Sequence, residues 1–220
     1  MKVNSLLILL ICTKILVAQS SNNQQYVNPF IGTGGHGHTF PGATVPFSMV
    51  QLSPDTRTEV WDACSGYHND DSTILRFSHT HLNGTSIADF CDILITPQWG
   101  VNLEFQHKNE IAKAGYYSVK FDKMPLKVEL TTSERVCFHK YTLPKGAKSA
   151  RFTIRFNARN TISQGDMQKI DAKTISGTCI SGGWAKSRHL SFNLESNGKI
   201  KSFTKRMMAH ANWTEYHARF

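Results

Sequence analysis

The stretch RFTIRF, residues 151–156, alternates between polar and apolar side chains at every position. In an extended chain Phe152, Ile154 and Phe156 would share one face, because successive side chains of a β-strand point to opposite sides. A period of two along the sequence therefore predicts a strand that buries one face in an apolar core.

The same alternation recurs along the second half of the chain. It is found in VNLEF (101–105), LKVEL (126–130) and LSFNL (190–194). The segments MPLK, LPKGAK and ESNGK have the composition of turns, and the last suits a tight hairpin. Many short strands separated by turns predict an all-β chain in which residues 99–205 build an antiparallel sandwich. Residues 207–220, MMAHANWTEYHARF, differ, because their apolar side chains fit a helical stripe loosely.

The chain is basic, with a formal net charge of +9 over 220 residues. A concentrated basic patch would point to nucleic acid or to an anionic surface. Lysines and arginines are instead spread along the predicted strands and turns without a basic run. We interpret them as a solvated basic surface and do not expect a nucleic-acid partner. The 40% of hydrophobic residues is enough for a sizeable core.

The first twenty residues, MKVNSLLILLICTKILVAQS, have the pattern of a secretory signal peptide. Lys2 precedes an apolar run that ends at Val17, and Ser20 is a small residue before the expected cleavage. The run is too short for a convincing transmembrane helix. We therefore expect export to the periplasm or beyond the cell. Loss of the peptide's two lysines would lower the net charge to +7.

Four cysteines would remain after this cleavage, namely Cys64, Cys91, Cys137 and Cys179. An even number of cysteines in an exported chain allows two disulfides, and four free, partly buried thiols are the equal alternative. No two of them form a CxxC pair, so a zinc knuckle is not expected.

The segment GTGGHG, residues 32–37, is rich in glycine. A phosphate-binding loop of this kind precedes the N-terminus of a helix. Here the continuation HTFPGATVPF contains Pro41 and Pro46 and cannot begin a helix. We interpret the glycines as residues that permit positive φ and a close approach of the backbone to a ligand or a neighbouring domain.

Two HxH pairs follow, His36 with His38 and His79 with His81. Residues i and i+2 of an extended segment point the same way, so a pair can ligate zinc, with His68 as a possible third ligand. The alternative is that these histidines hydrogen-bond the backbone of loops, which we favour for the second pair.

The segment EVWDACSGYHNDD, residues 59–71, has the chemistry of a sugar site. An indole such as Trp61 can stack on the apolar face of a pyranose, and a carboxylate such as Asp62 can accept hydrogen bonds from its hydroxyls. The alternative makes Trp61 a core residue and Asp62 a turn cap. Farther along, Asp92 opens an apolar strand and is interpreted as a plain strand-edge residue.

Five motifs follow one another in the order found in one enzyme family. They are VNPFIGTGGHGHTFPGATVPF (27–47), WDACSGYH (61–68), FSHTHLNGT (77–85), DILITP (92–97) and ISGTCISGGWA (175–185). From about Tyr26 to about Phe203 the chain resembles the N-terminal domain of glycoside hydrolase family 92. Its members are exo-acting, calcium-dependent, inverting α-mannosidases of bacteria that degrade N-glycans and yeast mannan.

The resemblance implies a galactose-mutarotase-like β-supersandwich over residues 21–206. From residue 207 it implies the start of a linker to an (α/α)6-barrel domain, which carries the general acid, the general base and the calcium ligands. Calcium is thus expected for the whole enzyme, with none of its ligands in this chain. For the chain on its own, the resemblance implies no mannosidase activity.

Carried over by motif, the substrate-binding residues are Gly35, His36, Trp61 and Asp62, with no catalytic and no metal-binding residue in this chain. The expected ligand is an α-mannoside glycan, and the expected partner is the barrel domain, either in the same chain or on a separate one. The alternative function is a free-standing, non-catalytic mannoside-binding module. An aldose epimerase with the same fold would need a positioned His and Glu, for which we find no motif.

The sequence departs from the family pattern at three places. Ser48 stands for the Gly of PFGM, Ala63 for the second Trp of WDWCSGYH, and SIADFCDIL for GCSDLGDIL. We expect Ser48 to strain its turn if that position has positive φ. We expect Ala63 to remove an aromatic surface from the site.

Overall fold

The computed structural model describes residues 23–57, 60–157, 159–208 and 213–220. Within these ranges the chain forms β-strands and short 3-10 helices, and contains no α-helix. The predicted all-β, antiparallel class is confirmed. The predicted signal peptide lies outside the described residues. None of the helices in those ranges has the length and apolarity that crossing a membrane requires.

The strands have the following bounds in chain order. They are β1 (Ser53–Asp55), β2 (Thr73–Ile74), β3 (Arg76–Ser78), β4 (Asp92–Pro97), β5 (Leu103–Glu104), β6 (Glu110–Lys113), β7 (Tyr116–Lys120), β8 (Lys127–Thr132), β9 (Cys137–Thr142), β10 (Arg151–Asn157), β11 (Ile162–Lys169), β12 (Thr174–Ser181), β13 (Arg188–Glu195), β14 (Ser202–Met208) and β15 (Trp213–Arg219). The 3-10 helices span Asn23–Tyr26, Trp61–Ala63 and His107–Asn109.

These strands pair into antiparallel sheets. A six-stranded sheet has the order β1-β3-β4-β10-β15-β14, and a three-stranded sheet has the order β11-β12-β13. A four-stranded sheet has the order β6-β7-β8-β9, and its described strands do not pair with those of the other sheets. Strands β2 and β5 form a two-stranded sheet.

The six-stranded and three-stranded sheets pack face to face. Ile154 and Phe156 of β10 share one buried cluster with Met167 of β11 and Ile175 of β12. The alternation of RFTIRF is therefore confirmed, since its apolar members face the core. Each large apolar side chain buried in this way contributes about 1.5–3 kcal/mol to stability.

A second core lies under the four-stranded sheet. Val128 and Leu130 of β8 pack there with Phe40, Leu52 and Tyr67, which come from the glycine-rich first third of the chain. That first third has few strand hydrogen bonds of its own. Its loops are therefore positioned mainly by apolar side chains that enter this core.

The C-terminal segment differs from the prediction. Residues 202–208 and 213–219 are β14 and β15, and β15 lies between β10 and β14 in the largest sheet. Tyr216 and Ala218 are buried while their neighbours Glu215 and His217 are less so, which is a period of two and not a helical stripe. The helical interpretation is wrong, and residues 207–220 include sheet strands where the start of a linker was expected.

The four cysteines expected after cleavage are all free. Cys64, Cys91 and Cys179 are buried, and Cys137 is partly so. Burial raises the pKa of the Cys91 thiol to about 12. Of the two alternatives raised by the sequence, the structure has the free thiols.

Candidate functional site

The glycine loop is a compact turn. The Gly37 amide donates to the Gly34 carbonyl at 3.2 Å, and the Thr39 amide donates to the Gly32 carbonyl at 3.3 Å. Gly32 and Gly35 have φ of +81° and +55°. A Cβ at Gly37 would lie 2.1 Å from the Gly32 oxygen, so only glycine fits there. The expected positive φ is confirmed, and no helix follows that could complete a phosphate site.

His68 ties this loop to the segment that follows Trp61. Its ring is buried, and its Nδ1 accepts a hydrogen bond from the Asp70 amide at 3.3 Å. Nε2 therefore carries the proton and donates to the Gly35 carbonyl at 3.2 Å. The Asn69 amide adds a bond of 2.9 Å to the Thr33 carbonyl. His68 is thus a support of the loop, and not the third metal ligand considered from the sequence.

The predicted sugar-binding residues meet on the surface. His36 donates from Nδ1 to Oδ1 of Asp62 over 2.5 Å, which joins the glycine loop to the short helix Trp61–Ala63. The His36 ring lies 5.2 Å from the Trp61 ring, centre to centre. Trp61 is 55% exposed, so the interpretation of Trp61 as a core residue is wrong. Gly35 is next to His36, and a Cβ on it would meet nothing within 4 Å.

His38 supports Trp61 from the same loop. It is buried, with φ of +55°, and the edge of its ring packs on the Trp61 ring at 4.2 Å between centres. Its Nδ1 shares a hydrogen bond of 2.7 Å with Oγ of Ser86, and its carbonyl accepts the Gly84 amide at 2.7 Å. His38 therefore links Trp61 to the loop 82–91.

The electrostatics of the site keep Asp62 ionised. The hydrogen bond from His36 is the largest of the effects that lower the pKa of the Asp62 carboxyl below its usual range. The site thus presents a carboxylate, an imidazole and an exposed indole side by side. This set can accept hydrogen bonds from sugar hydroxyls and donate hydrogen bonds to them, and the indole can cover an apolar face of the sugar.

A buried ion-pair network holds the neighbouring loops, and its connectivity could not be predicted from the sequence. Arg188 donates from Nη1 to Oδ1 of Asp89 at 3.0 Å and from Nη2 to Oδ1 of Asp92 at 3.2 Å. Asp92 also accepts from Nδ2 of Asn157 at 2.6 Å. Its interpretation as a plain strand-edge residue is wrong, because the side chain is fully buried and charge-paired.

The same network reaches an exposed tryptophan and the Trp61 turn. The Trp184 amide donates to Oδ2 of Asp89 at 2.9 Å, while the Trp184 side chain is exposed. Arg159 donates from Nη2 to the Ala63 carbonyl at 2.7 Å, next to Trp61 and Asp62. Both loops are therefore fixed to the sandwich by buried polar contacts.

The HxH pairs do not form a histidine metal site among the described residues. His36 bonds Asp62 and His38 bonds Ser86, as given above. His79 donates from Nδ1 to the Ile93 carbonyl, and His81 donates from Nδ1 to the Ser65 carbonyl at 2.8 Å. The interpretation of the second pair as loop-bonding residues is confirmed for His81, whereas His79 bonds a carbonyl of strand β4.

One group of ligand-type side chains does come together in the core. Ligand atoms of Asp55, His81 and Cys91 lie within 4.8 Å of one another. His81 is already bonded to the backbone, and Asp55 accepts a hydrogen bond from Oγ of Ser78 at 3.0 Å. Calcium needs about 6–8 oxygen ligands. A single carboxylate beside a thiol and an imidazole does not fit that ion, and we assign no step of the function to calcium at this group.

One departure from the family pattern has an outcome different from that expected. Positive φ falls on Phe47, at +59°, and not on Ser48, so Ser48 does not strain the turn in that way. Oγ of Ser48 instead accepts the Val50 amide at 3.0 Å. Ala63 is fully buried, and the expectation that it removes an aromatic surface from the site stays a prediction.

Comparison with known proteins agrees with this architecture. The sequence profile described as the glycosyl hydrolase family 92 N-terminal domain matches residues 26–217. The chain belongs to glycoside hydrolase family 92. The resemblance inferred from the motifs is thereby confirmed, and the sheets described above are those of a family 92 N-terminal domain.

Solved family 92 structures share the fold. The chain is similar to a family GH92 α-mannosidase from Bacteroides thetaiotaomicron in complex with mannoimidazole, with a TM-score of 0.79 and 29% identity. That match covers 90% of this chain and 30% of the solved chain. A second structure of the same α-mannosidase, whose description mentions no mannoimidazole, gives the same TM-score and the same identity. That match covers 31% of the solved chain. The family 92 chain thus spans about a third of the length of the solved chains that it matches.

A curated fungal protein is a more distant relative. The chain is 26% identical over 135 residues to an uncharacterized secreted glycosidase of Arthroderma benhamiae. The match covers 54% of this family 92 chain and 17% of the fungal protein.

Proposed function

We propose that this chain is the N-terminal part of an inverting exo-α-mannosidase that acts on the α-mannosides of N-glycans or mannan. In this role Gly35, His36, Trp61 and Asp62 form part of the pocket rim. The acid, the base and the calcium ligands would belong to a helical barrel domain in the same chain or on a separate one. The sheets would form the supersandwich on which that barrel rests.

The observation that carries this proposal is the exposed Trp61 beside the His36–Asp62 pair. Sugar sites combine an aromatic face with charge-assisted hydrogen bonds to hydroxyls, and all three side chains lie together on loops that buried groups hold in place. The solved relatives are described as α-mannosidases, which supports a mannoside as the ligand. The secreted relative and the signal-peptide pattern of residues 1–20 support export.

Inverting hydrolysis needs two carboxyl groups about 6.5–9.5 Å apart, on either side of the sugar. The rim as proposed provides one, Asp62. We therefore expect the 220-residue chain to bind mannosides weakly, at about millimolar concentration, and to release no mannose. Calcium-dependent release of mannose by the purified chain would contradict this assignment of roles.

The alternative, a free-standing mannoside-binding module, uses the same residues without a barrel. Sequencing the transcript past codon 220 separates the two. A continuing frame with a helical domain supports the enzyme, and a stop codon with no such frame nearby supports the module.

The rim itself is tested by titrating the chain with methyl α-mannoside and following the tryptophan indole N–H signals by NMR. The Trp61 signal, assigned with Trp61→Phe, should shift and saturate, and Trp61→Ala should abolish binding. Phe138→Ala is the matched control, because Phe138 is 56% exposed and lies on β9 of another sheet. Unchanged binding by Trp61→Ala would overturn the role of the rim.

A further inference from the structure

The face of the six-stranded sheet that is turned away from the core forms an open trough. A cavity of about 490 Å³ lies over its β10–β15–β14 side and one of about 400 Å³ over its β3–β4–β10 side. Gln98 and His217 line both cavities, so the two adjoin each other. The alternation of β10 and β15 that buries Ile154 and Tyr216 on one face directs Arg151, Arg155 and Arg219 to the other.

Like charges face each other at one end of this trough. Arg151 of β10 and Arg219 of β15 are directly opposed in the antiparallel register, and both are exposed. Directly opposed like charges destabilise a sheet unless something neutralises them. Both arginines line the larger cavity.

A second pair of arginines lies at the other end. Arg76 of β3 and Arg155 of β10 both line the smaller cavity. Burial, and then the positive charge of Arg76, lower the pKa of Arg155 to about 10. Residues 151 and 155 are four apart on one strand, which separates the two ends by about 13 Å.

Carboxylates lie near the second pair of arginines, whereas no described acidic residue lines the larger cavity beside Arg151 and Arg219. Glu215 lines the smaller cavity, where its Oε2 lies 3.6 Å from Nε2 of His217 and its charge acts to raise the pKa of Arg155. Arg76 is ion-paired with the buried Asp55, since its Nε lies 3.7 Å from Oδ2 of that carboxylate without a direct hydrogen bond. Within the described ranges, Nε of Arg76 and Nε2 of His217 are buried donors or acceptors without a hydrogen-bond partner.

The remaining lining is suited to a polar ligand. Hydroxyl and amide side chains also line the trough, at Thr96, Gln98, Thr153, Ser202 and Thr204. None of the residues of the proposed sugar rim lines either cavity. The trough is therefore a separate feature of the molecule.

We propose that this trough is a binding site for oxyanions, namely a phosphate or sulfate group held by the Arg151–Arg219 pair. Guanidinium groups present paired N–H donors that match the oxygens of phosphate and sulfate. The anion would neutralise the opposed charges of Arg151 and Arg219. The same chemistry can come from free phosphate or from a phosphate on a sugar.

The proposal is tested on the 220-residue chain by NMR titration with inorganic phosphate at constant ionic strength, with chloride as the compensating salt. Saturable shifts of the arginine Nε–H signals and of the His217 ring are expected. In R151Q/R219Q the affinity for phosphate should fall at least tenfold. The matched control K113Q/K120Q removes the same charge from exposed lysines of β6 and β7 and should leave it within twofold.

A thermal unfolding series guards against misfolded variants. Without phosphate, R151Q/R219Q should unfold at or above the temperature of the parent chain, because a like-charge pair is removed. Added phosphate should raise that temperature in the parent and in K113Q/K120Q only. An equal loss of affinity in both double variants, or a response to phosphate no different from chloride, would overturn the proposal.

A third arm identifies the source of the anion. Mannose 6-phosphate binding at least tenfold more tightly than inorganic phosphate would support a phosphorylated sugar, and equal affinities would support the free anion. Methyl α-mannoside should not shift the arginine signals, whatever it does at Trp61. The trough and the sugar rim can therefore fail independently.

Discussion

Nδ1 of His36 lies 2.5 Å from Oδ1 of Asp62, although the two residues are 26 positions apart in the chain. This contact closes the exposed end of the glycine loop onto the turn that carries Trp61. It orients the Asp62 carboxylate beside the indole while leaving both side chains accessible. A ligand would therefore meet a preformed arrangement and would not have to order it.

The charge state of Asp62 tests this contact. Because His36 lowers the pKa of Asp62, His36→Ala should let that pKa rise toward the usual aspartate value of about 3.9. The side-chain carboxyl carbon of Asp62 can be followed by NMR as the pH is lowered. His189→Ala, at an exposed residue of β13, is the control and should leave the pKa of Asp62 where it is. Equal pKa values in His36→Ala and the parent chain would contradict the contact.

Two glycines of the loop should respond differently to alanine. Gly35→Ala places a Cβ in open space but at positive φ, so we expect a loss of about 1–2 kcal/mol in the free energy of unfolding. Gly37→Ala places a Cβ against the Gly32 carbonyl and forces the backbone apart, so its loss should be clearly larger. Urea unfolding of the two variants measures the difference, and equal losses would count against the close turn.

The fold was predictable from the sequence where each strand has one apolar face. RFTIRF and LKVEL became β10 and β8 because alternation is the direct consequence of burying one side of a strand. The C-terminal strand β15 was missed. Aromatic and apolar residues at 213, 216 and 220 also match a helical spacing, and only pairing with the distant β10 decides between the two periods.

The placement of the candidate site was predictable where one short motif contains two of its side chains. Trp61 and Asp62 are adjacent in sequence, and the structure leaves both accessible. The ion pairs of Arg188 with Asp89 and Asp92 were not predictable, because the partners are 99 and 96 positions apart. The available signal was the charged Asp92 at the start of an apolar strand, and that signal does not identify Arg188 as its partner.

That hidden ion pair should be costly to break. Arg188→Met leaves Asp89 and Asp92 buried without their cation, and the expected loss is about 3–5 kcal/mol in the free energy of unfolding. Arg206→Met, at an exposed arginine of β14, should change it by less than about 0.5 kcal/mol. Both values come from urea unfolding at one pH. Equal free energies of unfolding for Arg188→Met and Arg206→Met would show that the network does not stabilise the loops.

The exposed Trp184 offers an independent view of the same network. Its amide is bound by Asp89, so loss of Arg188 should also loosen the Trp184 loop. The contribution of Trp184 to the indole fluorescence anisotropy is obtained by comparing each chain with its own Trp184→Phe version. The anisotropy due to Trp184 should fall in Arg188→Met and stay constant in Arg206→Met.

A buried histidine pair should make stability depend on pH. His79 donates from Nδ1 to the Ile93 carbonyl, so its neutral Nε2 accepts from Nε2 of His139 at 2.9 Å, and Nδ1 of His139 accepts from the Tyr141 hydroxyl at 3.0 Å. Burial lowers the pKa of His79 to about 4 and that of His139 well below its usual range. Both rings are therefore neutral in the folded chain at pH 5.

The direction of the effect follows from proton uptake on unfolding. Below pH 6.5 the exposed histidines of the unfolded chain bind protons that the folded chain does not, so stability is complete above about pH 7 and falls as the pH drops toward 4. Each histidine contributes up to about 1.4 kcal/mol per pH unit to this slope. Urea unfolding at pH 7.5, 6 and 5 measures it. His139→Gln should reduce the slope by one histidine's share, whereas His189→Gln, at an exposed ring, should keep it. The same slope in the parent and in His139→Gln would show that the pair is protonated in the folded chain.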